Sequence, residues 1–270
     1  MKILIKLLII FILIESSFLF VSCSSNFESE NNKISLIVPL YSFPTDENGE
    51  IWNAVFTASQ SVPIAVIWGL VDTADEPIYK QYTDYLQSSE NISLYAYIAT
   101  NSGQRSSAKV KKEVDYYVNH FNIDGIFFDE VSSEDEYIPY YKNLIRYAKG
   151  YSKIKKVILN SSYAPPDFLK DTGADILVIF ENYGYEWDNF SKKDYISLSS
   201  DQKAIIVHSV SSSSQMKSII ADALTNHIGY VYVTDKEYDE LPSYWTEEVN
   251  FIKQINENRS FFYTKFSLNL

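Results

Sequence analysis

Three acids stand where they could share one reaction. Residues 124–130, Asp-Gly-Ile-Phe-Phe-Asp-Glu, lead from a glycine through apolar residues to two adjacent carboxylates, Asp129 and Glu130. Residues 175–181, Asp-Ile-Leu-Val-Ile-Phe-Glu, repeat the design and end on Glu181. Short apolar runs of this kind read as buried strands of a parallel sheet. An acid at the C-terminal end of such a strand lies where α/β barrels place their chemistry. Two strands delivering acids to one rim point to paired-carboxylate catalysis, with one carboxyl protonated near neutral pH and another ionised. Crowding the acids splits their pKa values, because like charges disfavour double ionisation. Side chains alternate along a strand, so Asp129 and Glu130 are not equivalent unless the strand ends between them. The competing reading of the first string alone is that its acids cap the next helix or carry surface charge.

The elements that would position these acids recur along the chain. Eight apolar, β-branched or aromatic runs cover residues 34–41, 63–70, 93–100, 124–131, 155–162, 175–182, 203–210 and 228–235. Polar segments with helical spacing separate them. One places Val110, Val114, Val118 and Phe121 on a single stripe; another does the same with Tyr137, Tyr141, Leu144, Ile145 and Ala148. A last helix is expected over residues 244–255. Alternating strands and helices predict a parallel sheet, and eight units predict closure into a single (β/α)8 TIM-type barrel. An open doubly wound sheet is the alternative, but no glycine-rich phosphate loop follows the first strand. The four serines at 211–214 read as a solvated turn.

In such a barrel the strand ends face one cavity. Strand one offers Tyr41, strand two Trp68 and Asp72, and strand three Tyr97, Thr100, Asn101 and, further on, Arg105. Strand four offers Asp129 and Glu130, strand five Asn160, and strand six Glu181 with Asn182, Tyr183 and Tyr185. Strand seven offers His208, and strand eight Thr234 and Asp235. This polar, acidic and aromatic rim suits a carbohydrate better than a phosphate or a flat heterocycle. A Ser–His–acid arrangement around His208 and Ser209 is a weaker alternative, because no GxSxG nucleophile elbow is present.

Composition narrows the field. The net charge is −12 and no dense basic patch is visible, which argues against nucleic acid as a partner. Three scattered histidines, one cysteine and no HExxH argue against a zinc site, and no cofactor is expected. Tyr, Phe and Trp make up 16% of the chain. Most must serve packing, but those near the acids could stack on the apolar faces of sugar rings.

The N-terminus reads as an export signal over residues 1–22. Lys2 and Lys6 flank a mostly apolar stretch that Glu15 interrupts, which makes a continuous membrane span doubtful. Cys23, the only cysteine, follows Val21-Ser22, and the site is similar to a bacterial lipobox, with Phe20 where leucine is usual. Cleavage there would leave Cys23 as a lipidated N-terminus holding the protein on a membrane. Simple secretion and an uncleaved anchor are the alternatives. Residues 23–33 read as a polar tether, and residues 34–270 as one catalytic domain, expected to be a monomer.

The ordered motifs resemble the spherulin-4 (spherulation-specific family 4) proteins, which include the glycoside hydrolases of family 135. The matching pieces are Val38-Pro-Leu-Tyr-Ser-Phe-Pro44 with Trp52 after it, the segment from Tyr95 to Arg105, Asp124 to Glu130, Leu159-Asn160, and Phe180-Glu181. The resemblance implies a (β/α)8 barrel that hydrolyses an extracellular amino-sugar polysaccharide within the chain, as fungal members do with galactosaminogalactan. It places the family's three essential acids on Asp129, Glu130 and Glu181. It departs from the family pattern at Trp68-Gly-Leu-Val-Asp72 and at Asn160-Ser-Ser-Tyr163, two loops expected to touch substrate. Around the acids, Tyr41, Trp68, Tyr97, Asn101, Arg105, Asn160, Tyr183, His208 and Asp235 are the expected sugar contacts. The rival function is a non-catalytic polysaccharide-binding surface lipoprotein on the same barrel.

Overall fold

The computed structural model describes residues 33–45, 49–70, 72–161 and 163–258. The expected export signal over residues 1–22, Cys23 and most of the tether lie outside the described residues, as does the chain beyond residue 258. Eight parallel strands close into a barrel in sequence order. They are β1 (Ser35–Pro39), β2 (Ile64–Trp68), β3 (Ile92–Ala99), β4 (Gly125–Asp129), β5 (Lys156–Asn160), β6 (Ile176–Tyr183), β7 (Lys203–His208) and β8 (Tyr230–Val233). Six fall inside the apolar runs, and β3 and β6 each overhang their run by one residue, at Ile92 and Tyr183. The strands are nearly continuous in burial because helices cover one face and the barrel interior fills the other.

Seven α-helices surround the described barrel: α1 (Gly49–Ser59), α2 (Glu76–Leu86), α3 (Ser107–His120), α4 (Ile138–Ala148), α5 (Pro166–Thr172), α6 (Ser213–Thr225) and α7 (Trp245–Glu257). Local chemistry sets their ends. The Ser106 side chain accepts the Lys109 N–H and starts α3, and Val110, Val114, Tyr117 and Val118 form its buried stripe. Gly173, at φ +78°, ends α5 in the left-handed region. Ser212 caps α6, so the serine run is a helix start rather than only a solvated turn.

The segment between β6 and β7 departs from the expected helix. It forms three short 3-10 turns, Gly184–Asn189, Lys192–Tyr195 and Ser200–Gln202. Its Ser, Asn and Asp residues offer side-chain bonds that compete with a helix ladder, as in the Ser199–Gln202 capping pair. Trp187 takes over the covering role by packing edge-on against Phe180 of β6, with ring centroids 5.3 Å apart.

The seam between β8 and β1 is the thinnest part of the wall. Only Ser35↔Tyr230 and Leu36↔Val231 pair there, fewer than at any other junction. Above those pairs the Val233 N–H bonds the carboxyl of Glu248 on α7 instead, at 2.9 Å. Higher still, the Tyr41 N–H bonds the Tyr238 carbonyl at 3.0 Å and closes the wall at the mouth.

Candidate active site

Asp129 ends β4, Asn160 ends β5, and Glu181 sits near the end of β6. Parallel register therefore brings all three to the C-terminal mouth on neighbouring strands. The Asn160 amide nitrogen lies 2.8 Å from Asp129 Oδ1 and also bonds Glu181 Oε2. Both its protons are thus used on carboxylates. Asn160 is only 6% exposed, so this amide is held in place by packing.

Tyrosines complete the shell. Tyr97 of β3 hydrogen-bonds Asp129, and the Asp129 carboxylate also accepts the Glu130 N–H. Tyr238, in the loop after β8, donates its hydroxyl to Glu181 Oε1 at 2.8 Å. Tyr41 meets Tyr97 and Tyr238 edge-on, with centroids 5.5 and 5.9 Å away. Burial, followed by the nearby Asp129 charge, pushes the Tyr41 and Tyr97 hydroxyls well above their usual range, so they act as donors and not as phenolates. Burial likewise raises Tyr238, with the Glu181 charge next.

Asp129 is itself raised. Burial is the largest cause, and the Glu181 charge adds to it, while bonds from the Glu130 N–H, Tyr97 and Asn160 oppose the rise. Two crowded carboxyls on one donor favour a single proton held between them. Burial makes Asp129 the member pushed toward holding it.

Glu130 goes elsewhere. Its backbone turns into the left-handed region at φ +53°, which is strained for a glutamate. Thr100 holds that turn by donating its hydroxyl to both the Asp129 and Glu130 carbonyls, each at 2.8 Å. The exposed Glu130 carboxylate then accepts the Asn101 N–H at 3.0 Å and braces the loop that follows β3. Asn101 and Ser102 in that loop also have positive φ values.

The remaining expected contacts divide. Tyr183 and Tyr185 stack face to face at 5.1 Å and are 45% and 67% exposed on the rim. His208 meets Tyr183 edge-on at 4.4 Å, and burial lowers its pKa, so it is neutral at pH 7. Its Nδ1 lies 3.3 Å from Ser209 Oγ, but among the described residues no carboxylate bonds its ring, so the Ser–His–acid alternative is not assembled there. Arg105 pairs with Glu113 and donates to the Ala99 carbonyl, at the border of a cavity beside Tyr97.

Two expectations need correction. Trp68 is fully buried and faces the helix layer, stacked with Tyr79 and edge-on to Tyr117 and Phe121. It cannot touch a ligand at the mouth. Asp235 is occupied by the Ser243 N–H and hydroxyl at 2.8 and 2.6 Å, just before α7, and it anchors that helix instead of facing the carboxylate pair. Tyr238 was missed by reading only as far as Asp235; an aromatic five residues beyond the last strand was the available signal. Among the described residues, no group of three or more His, Cys, Asp or Glu is placed to hold a metal ion.

Comparison with known proteins agrees with this architecture. The model of the family described as spherulation-specific family 4 matches residues 35–252. Among solved structures, Sph3 of Aspergillus clavatus, in complex with GalNAc, superposes with a TM-score of 0.66 at 21% identity, over 82% of this chain and 98% of that one. A protein described as an aldo-keto reductase from Pseudomonas aeruginosa gives 0.56 at 11% identity, over 82% and 89%. A cyclic alpha-maltosyl-(1→6)-maltose hydrolase from Arthrobacter globiformis gives 0.54 at 7% identity, over 84% and 82%. At such identities these likenesses concern the fold, which hosts unrelated reactions. No curated protein matches the chain.

Proposed function

Because the chain belongs to spherulation-specific family 4, we propose that it is a glycoside hydrolase acting within an extracellular amino-sugar polysaccharide. The observation that carries the reading is the Asp129–Asn160–Glu181 bridge at the barrel mouth. The GalNAc held by Sph3, which shares the fold, supports an acetamido sugar as the substrate unit. The exposed Tyr183–Tyr185 stack supports a polymer, since it extends an apolar platform beyond the carboxyl pair.

The shared amide sets Asp129 Oδ1 and Glu181 Oε2 on the order of 5 Å apart, the spacing of retaining enzymes and short of the 6.5–9.5 Å of inverting ones. One carboxylate attacks the anomeric carbon while the other gives its proton to the departing glycosidic oxygen. Water then hydrolyses the glycosyl ester, with the second carboxylate accepting the water's proton. Asn160 and Tyr238 hold the pair in register, and Glu130 supports the Asn101–Arg105 loop beside it. Tyr41, Tyr97, Tyr183 and His208 line the sugar path. Export, and a lipid on Cys23 that would keep the enzyme at the cell surface, rest on the sequence alone.

The same aromatic platform would serve the non-catalytic polysaccharide-binding rival, so product formation decides between them. A GalNAc-containing polysaccharide incubated with the protein should yield new reducing ends of retained anomeric configuration. Binding without new reducing ends would establish the rival. Inverted products would remove the double-displacement mechanism.

A further inference from the structure

The mouth has a second compartment, a cavity of about 640 Å³ between the segments that follow β2 and β3. Tyr97 borders it and also hydrogen-bonds Asp129, so the compartment adjoins the carboxyl pair. Its far wall is the first two turns of α3, which contribute Lys109, Lys112 and Glu113, with Arg105 just before the helix and Asp72 opposite.

Most of these charges are already engaged. Arg105 and Glu113 form an ion pair. The Asp72 carboxylate accepts the Ala74 N–H at 2.9 Å and caps the turn Thr73–Asp75. Lys109 and Lys112 are different: among the described residues neither ammonium has a hydrogen-bond or ion-pair partner. They lie three residues apart on one helix face, where like charges repel each other. The protein as a whole carries a net charge of −12, so acidic partners for lysines are plentiful, yet these two converge unpaired on a cavity.

We infer that this compartment is a subsite for an anionic sugar, a hexose bearing a carboxylate or a phosphate, next to the bond that is cut. The inference rests on the glycosidase reading of the carboxyl pair. It makes the substrate a polymer with acidic residues among its amino sugars, and it orients that polymer. The neutral ring stacks toward Tyr183 and Tyr185, and the charged ring lies toward Lys109 and Lys112.

Calorimetric titration with three matched GalNAc-based tetrasaccharides tests this: one neutral, one with a C6 carboxylate on one residue, and one with a C6 phosphate. The expected result is about tenfold tighter binding of one or both acidic forms, weakening as salt rises. Which acidic form gains identifies the anion. The double variant Lys109→Ala/Lys112→Ala should lose the preference and keep its affinity for the neutral form, while Lys217→Ala on α6 should keep the preference. Lys109 and Lys112 are exposed, and Lys217 is partly exposed with a surface ion pair to Glu247, so none of these truncations opens the core. Equal binding of all three sugars, or a preference that survives the double variant, overturns the inference and leaves the glycosidase reading standing. Failure of all three to bind overturns both.

Discussion

Two places in the barrel wall bury a carboxyl group beside a strand, and they end in opposite chemical states. At the mouth of β4–β6, Asp129 and Glu181 face each other across one amide, with Tyr97 and Tyr238 donating to them and solvent reaching the rim. At the β8–β1 seam, Glu248 is 0% exposed; among the described residues its carboxyl accepts only the Val233 N–H, and its Oε2 has no partner. Burial, only partly offset by the Val233 N–H bond, pushes Glu248 up to about 8, so it is neutral over most of the physiological range. A strongly shifted acid is therefore not by itself a catalytic one. What separates the two places is company: a second carboxyl, several donors and access for a ligand.

The largest effect should come from breaking the mouth. Glu181→Gln and Asp129→Asn each remove one carboxylate while keeping its shape. We expect kcat to fall at least about 10³-fold for either, with Tm no lower than wild type, because relieving like-charge crowding does not cost stability. If both variants keep near-full activity on a cleavable polymer, the paired-carboxylate mechanism is wrong.

The seam should respond in the opposite currency, stability without chemistry. Glu248→Ala leaves the Val233 N–H without an acceptor and opens a void, and should cost about 2–4 kcal/mol in denaturant unfolding. Glu248→Gln keeps an acceptor and should be far milder. It should also reveal a pH signature. An acid whose folded pKa is raised binds its proton in the native state while the unfolded chain has released it. Between the usual 4.5 and about 8, wild-type stability should thus fall relative to Glu248→Gln as pH rises, by about 1.4 kcal/mol per pH unit, and level off above. A stability difference flat in pH would show that Glu248 is ionised and that the seam is not the sealed, neutral counterpart of the mouth.

The contrast also explains what the sequence could reveal. The barrel was legible because eight apolar runs alternate with amphipathic stripes, a pattern with few other solutions. The carboxyl pair was legible because an acid ending an apolar run is conspicuous; Asp129 and Glu130 part not by alternation but because β4 ends between them and the chain turns at Glu130, at φ +53°. Trp68 was misjudged for a related reason. In Ile64–Trp68 both faces are buried, so nothing in the pattern tells the interior face from the helix face. Glu248 was invisible because its role depends on how far β1 and β8 stay paired, a matter of closure and not of local sequence. Lys109 and Lys112 carry no signal in the sequence beyond belonging to a polar helical segment; only the cavity opposite gives them a meaning.

The smallest effect sharpens the mouth itself. The bond from Tyr97 lowers the Asp129 pKa against the dominant upward push of burial. Tyr97→Phe removes that bond and leaves the ring, so the Asp129 pKa should rise further. If Asp129 holds the proton of the pair, the alkaline limb of kcat/KM reports its loss. That limb should then move to higher pH by about one unit, the equivalent of one charge-assisted hydrogen bond. The maximal rate should change less than in the carboxyl variants, because both acids remain. Tyr97 is partly buried, and the substitution keeps its stacking on Phe127 at 6.3 Å, so a folding defect should not mask the shift. A limb that stays in place, or moves to lower pH, would mean that the proton resides on Glu181, and the roles of the two acids would have to be exchanged.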